Sequence, residues 1–398
     1  MKMPHHALFG LLVLDLSQNI SGPYSTKLLA DYGAEVIKIE KPPLGDTGRR
    51  VGPFHSDHPD IEKSGLFLFL NTSKKGITLN LDCESGLQIF RMLVERADIL
   101  VENFRPGVMA SMGLDYDKLA EINPELIMTS ISCFGQWGPY REWDGSDIVA
   151  QAMGGLMGLT GEADGTPLKL PLSQAEYQAG LNAAVATLCA LYFRDETRKG
   201  QHIDVSLQEA VASILEASVT MYSYSGFVRG RTGSRHHLQC PSRVMPTRDG
   251  YIHVQAGANW DHFSTFLDTP QLMQPRFASP LRYQYADEVE SLIQPWIENR
   301  DKREIFTTAQ EWRIPFAPVL GIDELMGDPQ YEARGFFHEI GHPQAGTLTY
   351  PGAPFRMSET PAEVRRAPLL GEHNDEVYSE ALGLSQDHLI ELKEQGVI

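Results

Sequence analysis

Residues 8–16 are an apolar run, residues 24–32 carry a helical pattern, and Glu35-Val-Ile-Lys-Ile-Glu40 is apolar again. Ser17-Gln-Asn-Ile-Ser-Gly-Pro23 and the stop residue Gly33 separate them, so the three segments form a β-α-β unit. Such a unit needs a right-handed crossover between parallel strands, which restricts the chain to a sheet covered by helices on both faces. The alternation continues with strand-like runs at 66–70 and 77–81, a helix over 84–96, a strand over 99–101, a helix end at 119–122 and a strand over 126–131. The fold class is therefore α/β with a parallel sheet.

The segment 167–191 carries one acid, Glu176, at the start of a long apolar stretch. From residue 179 onward nearly every residue is apolar or small, which predicts a helix buried on most sides with Glu176 in its first turn. Free amides and partial positive charge at a helix N-terminus favour an anion there without any catalytic role. The alternative is a reactive carboxylate, and the segment alone does not separate the two.

Beyond it come a strand-like stretch at 202–206 and an apolar helix to about residue 219. The Gly- and Arg-rich connector Arg229-Gly-Arg-Thr-Gly-Ser-Arg-His-His237 then marks a change of composition. We expect a large domain from residues 1–225, a smaller α/β middle domain over 226–315, and a C-terminal part, 316–398, that returns to the large domain.

The 398 residues and 42% hydrophobic content suffice for more than one core. A net charge of −18 argues against nucleic acid or an anionic membrane as partner. Cys83, Cys133, Cys189 and Cys240 have no C-x-x-C spacing and read as reduced structural thiols of a cytoplasmic protein. The start, Met1-Lys-Met-Pro-His-His6, has no signal-peptide pattern, and no apolar run approaches the roughly 18 residues of a membrane span.

Glu40 ends the second strand where a dinucleotide's ribose would be held, but the glycine fingerprint is absent, which disfavours a nicotinamide cofactor. Cations recur at predicted strand ends: Lys38 and Lys41, Lys74 and Lys75, and Arg105. Ligands of open α/β sheets bind at those ends, so in so acidic a chain this clustering points to a phosphate-rich ligand. Solvated loop lysines are the plainer explanation of any one of them. His236, His237 and Cys240 lack a further ligand at metal spacing, so no metal site is expected. No G-x-S-x-G elbow is present, and Gly145-Ser-Asp147 reads as a cap for a helix beginning near residue 148.

Taken in order, several motifs resemble the family III CoA-transferases, the CaiB/BaiF group. They are Leu14-Asp-Leu-Ser with Gly22-Pro23, Gly33-Ala-Glu-Val-Ile-Lys-Ile-Glu40, Asn71-Thr-Ser-Lys74, Val101-Glu-Asn-Phe-Arg-Pro-Gly107 and Phe134-Gly-Gln-Trp-Gly-Pro139. Further along come Gly200-Gln201 with Asp204-Val205, Ile314-Pro-Phe-Ala-Pro-Val319 and Ala367-Pro-Leu-Leu-Gly-Glu-His373. The resemblance implies a large Rossmann-like domain built from both ends of the chain, a small middle domain, and a homodimer of interlocked rings. It also implies coenzyme A or acyl-CoA as substrate rather than a permanently bound cofactor, with Lys41, Asn71, Lys74, Asn103 and Arg105 as CoA contacts. Glu176 falls where most transferases of the family keep a nucleophilic aspartate.

A carboxylate suits this role, because attack on a thioester gives an anhydride and the returning thiolate then makes an enzyme thioester. The extra methylene displaces the carboxylate by about 1.5 Å, an error that can cost about a hundredfold unless the oxyanion donors move with it. The first turn lacks the glutamine that formyl-CoA transferases place at the position of Ile20, which disfavours oxalate or formate chemistry. Two other readings stand beside transfer. The family's 2-methylacyl-CoA racemases carry a histidine where this chain has Ser146, so one of the two bases would be missing. The third is a non-catalytic CoA-binding partner of a paralogue.

Overall fold

Val13, Leu14, Ile99, Leu100 and Val101 are fully buried, so their strands present apolar side chains to both faces, the pattern of a sheet sandwiched between helices. In the computed structural model, which describes residues 6–398, the strands are β1 (Leu12–Asp15), β2 (Glu35–Glu40), β3 (Lys75–Thr78), β4 (Ile99–Glu102), β5 (Ile127–Ser132) and β6 (Gln201–Ser206). They form one sheet in the order β3-β2-β1-β4-β5-β6, parallel throughout. This is the doubly wound order, in which β1 and β4 are neighbours and the chain leaves them in opposite directions.

The helices over this half are α1 (Ser21–Asp31), α2 (Gly65–Leu70), α3 (Glu84–Val94), α4 (Val108–Ser111), α5 (Tyr116–Ile122), α6 (Asp147–Met153), α7 (Gln174–Thr197) and α8 (Leu207–Ser213). Leu14, Ile37, Leu100 and Met128 pack under α3 and α5, joined by Tyr378 and Leu389 from the C-terminal region. On the other face Val13, Val36, Ile99 and Ile127 meet α1, α7 and α8, with Ala175, Ala179, Ala183 and Ala190 as the α7 contribution. Gly33 closes α1 at φ +100°, a backbone that an L side chain resists.

Two elements differ from the expectation. Residues 66–70 lie in α2, not a strand: Ser64 caps the helix by accepting from the Phe67 amide at 3.2 Å, and a short apolar run fits either structure by periodicity alone. Helix α7 is not buried on most sides. Leu181, Val185, Leu188 and Tyr192 are exposed along one stripe while its alanines face the sheet.

The chain forms two compact units. The first ends at Leu156, resumes over Lys169–Val219 and again over Gly335–Ile398. It includes the antiparallel hairpin β10 (Phe337–His342) and β11 (Gly346–Pro351), whose Ile340 and Tyr350 pack on Phe67 and Leu68 of α2. The second comprises Met157–Leu168 and Thr220–Arg334, where the sequence reading placed 226–315. Its antiparallel sheet runs β7 (Ser242–Thr247), β8 (Gly250–Gln255), β9 (Ala317–Pro318). The pairing of Ala317 and Pro318 with β8 carries this unit past residue 315. Phe263, Phe277, Ile293 and Phe316 fill its core. Among the described residues no helix is long and apolar enough to cross a membrane.

Candidate active site

The turn between β1 and α1 lies at the carboxyl edge of the sheet where the strand order reverses, and its backbone is held by side chains from several directions. Asp15 Oδ1 accepts the Ser17 amide at 3.0 Å, and Lys38 donates to the Ser17 carbonyl. Asn103 grips Gln18 at both ends, its Oδ1 accepting the amide at 2.7 Å and its Nδ2 donating to the carbonyl at 2.7 Å. Asp46 Oδ1 accepts the Asn19 amide at 2.9 Å, where φ is +65°. Glu176 Oε2 accepts the Ser21 amide at 3.2 Å.

Glu176 therefore sits on the N-terminus of α1. The first-turn amides of its own helix are taken by another acid: Asp147 Oδ1 accepts from Ala175 at 2.8 Å and from Glu176 at 3.3 Å. Asp147 Oδ2 accepts Gln151 Nε2 at 2.7 Å, and Gln151 Oε1 accepts the Leu170 amide at 2.9 Å, so α6 fixes the approach to α7. Gly180, one turn beyond Glu176, lets α7 close on α1. A Cβ at that position would lie 2.5 Å from the Ser21 carbonyl oxygen. Burial pushes the Glu176 carboxyl above its ordinary range, Ser21 opposes the shift through its hydroxyl and amide, and the negative charge of Asp147 adds to it.

A cavity of about 160 Å³ opens beside this carboxylate, lined by Ser21, Asn103, Arg105, Cys133, Arg141, Trp143 and Glu176 among others. Arg105 pairs with Asp144, and Arg141 pairs with its neighbour Glu142 at 2.8 Å; all four side chains are exposed. Burial pushes the Cys133 thiol up to about 11, opposed by the Ser146 backbone and reinforced by Glu176. The thiol is thus protonated at neutral pH.

The predicted CoA contacts divide. Arg105 and Asn103 line the cavity, although both ends of the Asn103 amide are engaged with Gln18. Lys74 and Asn71 are interior. Lys74 Nζ donates to Asp15 Oδ2, the Pro23 carbonyl and Asn71 Oδ1, each at 2.9 Å, which occupies all three of its protons. Burial pushes Lys74 down to about 8 against the pull of Asp15. Lys41 is exposed and pairs with Asp82. Glu40 is not free for a ribose: it binds Arg49 in a fork at 2.7 and 2.9 Å and accepts the Asp46 amide at 2.8 Å. Asp15, Lys38, Asp46 and Lys74 make one buried ionic cluster beneath the turn.

Sequence reasoning passed over the holding roles of Asp15, Asp46 and Asp147. A signal was available in Glu35-Val-Ile-Lys-Ile-Glu40, because a lysine inside a doubly buried strand requires acids nearby.

The sequence pattern described as CoA-transferase family III matches residues 8–374. The chain is 35% identical to the formyl-CoA:oxalate CoA-transferase of Streptomyces coelicolor over the whole of both. It is 34% identical to the succinyl-CoA–D-citramalate CoA-transferase of Chloroflexus aurantiacus over all of this chain and 99% of that one. A crystal structure of a CAIB/BAIF family protein from Brucella suis superimposes with a TM-score of 0.85 at 32% identity, covering 94% of this chain and 99% of that one. Matched along nearly its entire length in sequence and in fold, the chain belongs to CoA-transferase family III.

Proposed function

We propose that Glu176 is the covalent nucleophile with which this CoA-transferase moves CoA from an acyl-CoA thioester to a carboxylic acid. The observation that carries this reading is a carboxylate at the topological switch point, in a cavity with two arginines at its lining and a helix N-terminus at its back. A Glu176 oxygen attacks the thioester carbonyl carbon, the C–S bond breaks, and the CoA thiolate leaves a mixed anhydride. The thiolate then attacks the glutamyl carbonyl, releasing the donor acid and forming a glutamyl-CoA thioester. The acceptor carboxylate attacks that thioester, and the thiolate returns to the acceptor's carbonyl, which frees Glu176. Attack needs the ionised form, which the Ser21 amide stabilises and burial opposes.

CoA phosphates suit the exposed Arg105 and Lys41, while Lys74, Asn71 and Asn103 serve to hold the turn against which the thioester lies. Relatives at 35% and 34% identity are named for formyl-CoA with oxalate and for succinyl-CoA with citramalate, so identity does not choose the acyl group. The test is exchange between a panel of acyl-CoAs and free acids, including those named, followed by mass spectrometry of the enzyme. A CoA adduct on the peptide bearing Glu176, formed only with an active donor, is the expected result. Transfer without any adduct, or with full rate in Glu176→Gln, overturns it and directs attention to Asp147.

The active form we propose is an interlocked homodimer. Besides the family resemblance, the exposed stripe Leu181, Val185, Leu188 and Tyr192 on α7 supports it, since four large apolar side chains in one row call for cover. Light scattering at micromolar concentration gives twice the 44.4 kDa chain mass if this holds; a monomer refutes it.

A further inference from the structure

Glu102, the last residue of β4, is only 3% exposed, yet it is absent from the reaction proposed above. Its Oε2 accepts the Phe104 amide at 2.8 Å. Across the sheet it pairs in register with Ser130 of β5, which in turn pairs with Asp204 of β6. Ser130 Oγ lies 2.8 Å from His202 Nε2, and the His202 ring stacks on Tyr116 at 5.6 Å. Asp204 Oδ2 accepts the Gln136 amide at 2.9 Å. A polar strip thus crosses three strands at the carboxyl edge and ties down a loop at each end. One loop carries Asn103, Phe104 and Arg105, the other carries Phe134, and all four line the cavity of Glu176.

We infer that Glu102 is a positioning residue of the CoA site, fixing through the Phe104 amide the turn from which Asn103 and Arg105 project. Asn103 can hold Gln18 at both ends only while its own backbone is held, and Arg105 follows two residues later. A buried carboxylate is a stronger acceptor for an amide than a neutral group. Burial pushes the Glu102 carboxyl up to about 7, with Ser130 and the Phe104 amide opposing and Asp204 reinforcing, so at pH 8 the charged form prevails.

This rests on the reading of the cavity as the CoA site, and the experiment separates the two. CoA binding is measured by calorimetry at pH 8 on the full-length protein, with transfer kinetics alongside. Glu102→Ala is expected to weaken CoA at least tenfold and to raise KM for acyl-CoA in parallel, with kcat at saturation within threefold of wild type. Glu102→Gln, which keeps an oxygen facing the Phe104 amide, restores affinity to within threefold. Glu102→Asp, which keeps the charge and draws the oxygen back, lies between them and serves alone if the alanine variant does not fold. Wild-type affinity in both Glu102→Ala and Glu102→Asp overturns the inference. So does equal weakening in Glu102→Gln and Glu102→Ala, or a fall in kcat with KM unchanged. Failure of the wild-type protein to bind CoA would instead refute the reading of the cavity.

Discussion

The two sides of the cavity hold charge in opposite ways. Under the β1–α1 turn, Asp15, Lys38, Asp46 and Lys74 are all nearly inaccessible and satisfy one another. Across the opening, Arg105 and Asp144 leave 74% and 78% of their side chains exposed, and Arg141 with Glu142 is similar. Burial makes the first set rigid, because removing any member strands a charge in a medium that cannot solvate it. Exposure makes the second set exchangeable, since an exposed pair is held weakly and can be traded for a ligand phosphate at little loss. One side of the site is therefore built to stay, the other to let go.

Glu176, at the boundary between them, gives the largest effect. Glu176→Gln keeps the shape and the acceptor for Ser21, so CoA should still bind while transfer falls by about three orders of magnitude or more, the scale for loss of a nucleophile. Glu176→Asp should also be impaired if the pocket is fitted to glutamate, and a steady-state assay ranks the three.

The buried side is broken by Lys38→Met, which leaves Asp15 and Asp46 short of a cation. We expect about 3–5 kcal/mol of destabilisation in urea unfolding. The same cluster sets an acid limit. Burial alone would raise the Asp15 carboxyl, but Lys38, Lys74, Ser17 and Thr26 outweigh it and hold it at about 2, below its ordinary 3.8. A depressed carboxylate contributes stability that is complete above pH 3.8 and is lost as the pH falls through about 2. Unfolding midpoints should therefore drop over that window, and less so in Asp15→Asn.

The exposed side answers to ligand affinity instead. Arg105→Ala should weaken CoA by roughly 1.5–3 kcal/mol in calorimetry, the range for charge-assisted bonds, with no change in melting temperature. Lys41→Ala should give the smallest loss, about threefold or less and vanishing at high salt, as befits a screened surface charge. If Arg105→Ala cost stability and Lys38→Met cost only affinity, the contrast between the sides would be inverted.

Asp147 sharpens the comparison by its pH signature. Its charge raises the proton affinity of Glu176, and its Oδ1 holds the start of α7. Asp147→Asn keeps an acceptor and removes the charge, so Glu176 should ionise at lower pH. The acid limb of the pH–rate profile then moves to lower pH, and a limb that stays put removes Asp147 from the electrostatics of the site.

Much of this was legible in the residues. The alternation from residue 8 to residue 131 fixed strands β1, β2, β4 and β5 to within a few positions, because doubly buried parallel strands read as continuous apolar runs. Glu176 stood out as the one acid at the start of a long run of apolar and small residues. The interior role of Lys74 and Asn71 was not legible. A lysine at a strand edge looks alike in sequence whether it points to solvent or inward, and its three acceptors come from β1, α1 and the α2–β3 turn. The identity of α2 was lost to length, since six residues span too little to separate a period of 3.6 from a period of 2.

The close approach at Gly180 makes the spacing between α1 and α7 a heritable dimension of the site. A methyl group there would force the helices apart by pressing on the Ser21 carbonyl, and the gap that opens is the one the residue at 176 has to bridge. Reach at one position and width at the other are thus bound together, so substitutions at 176 and 180 should be non-additive. The order in which the two change would then decide which intermediates remain active: a lineage that widened the gap first could keep a glutamate working where an aspartate falls short.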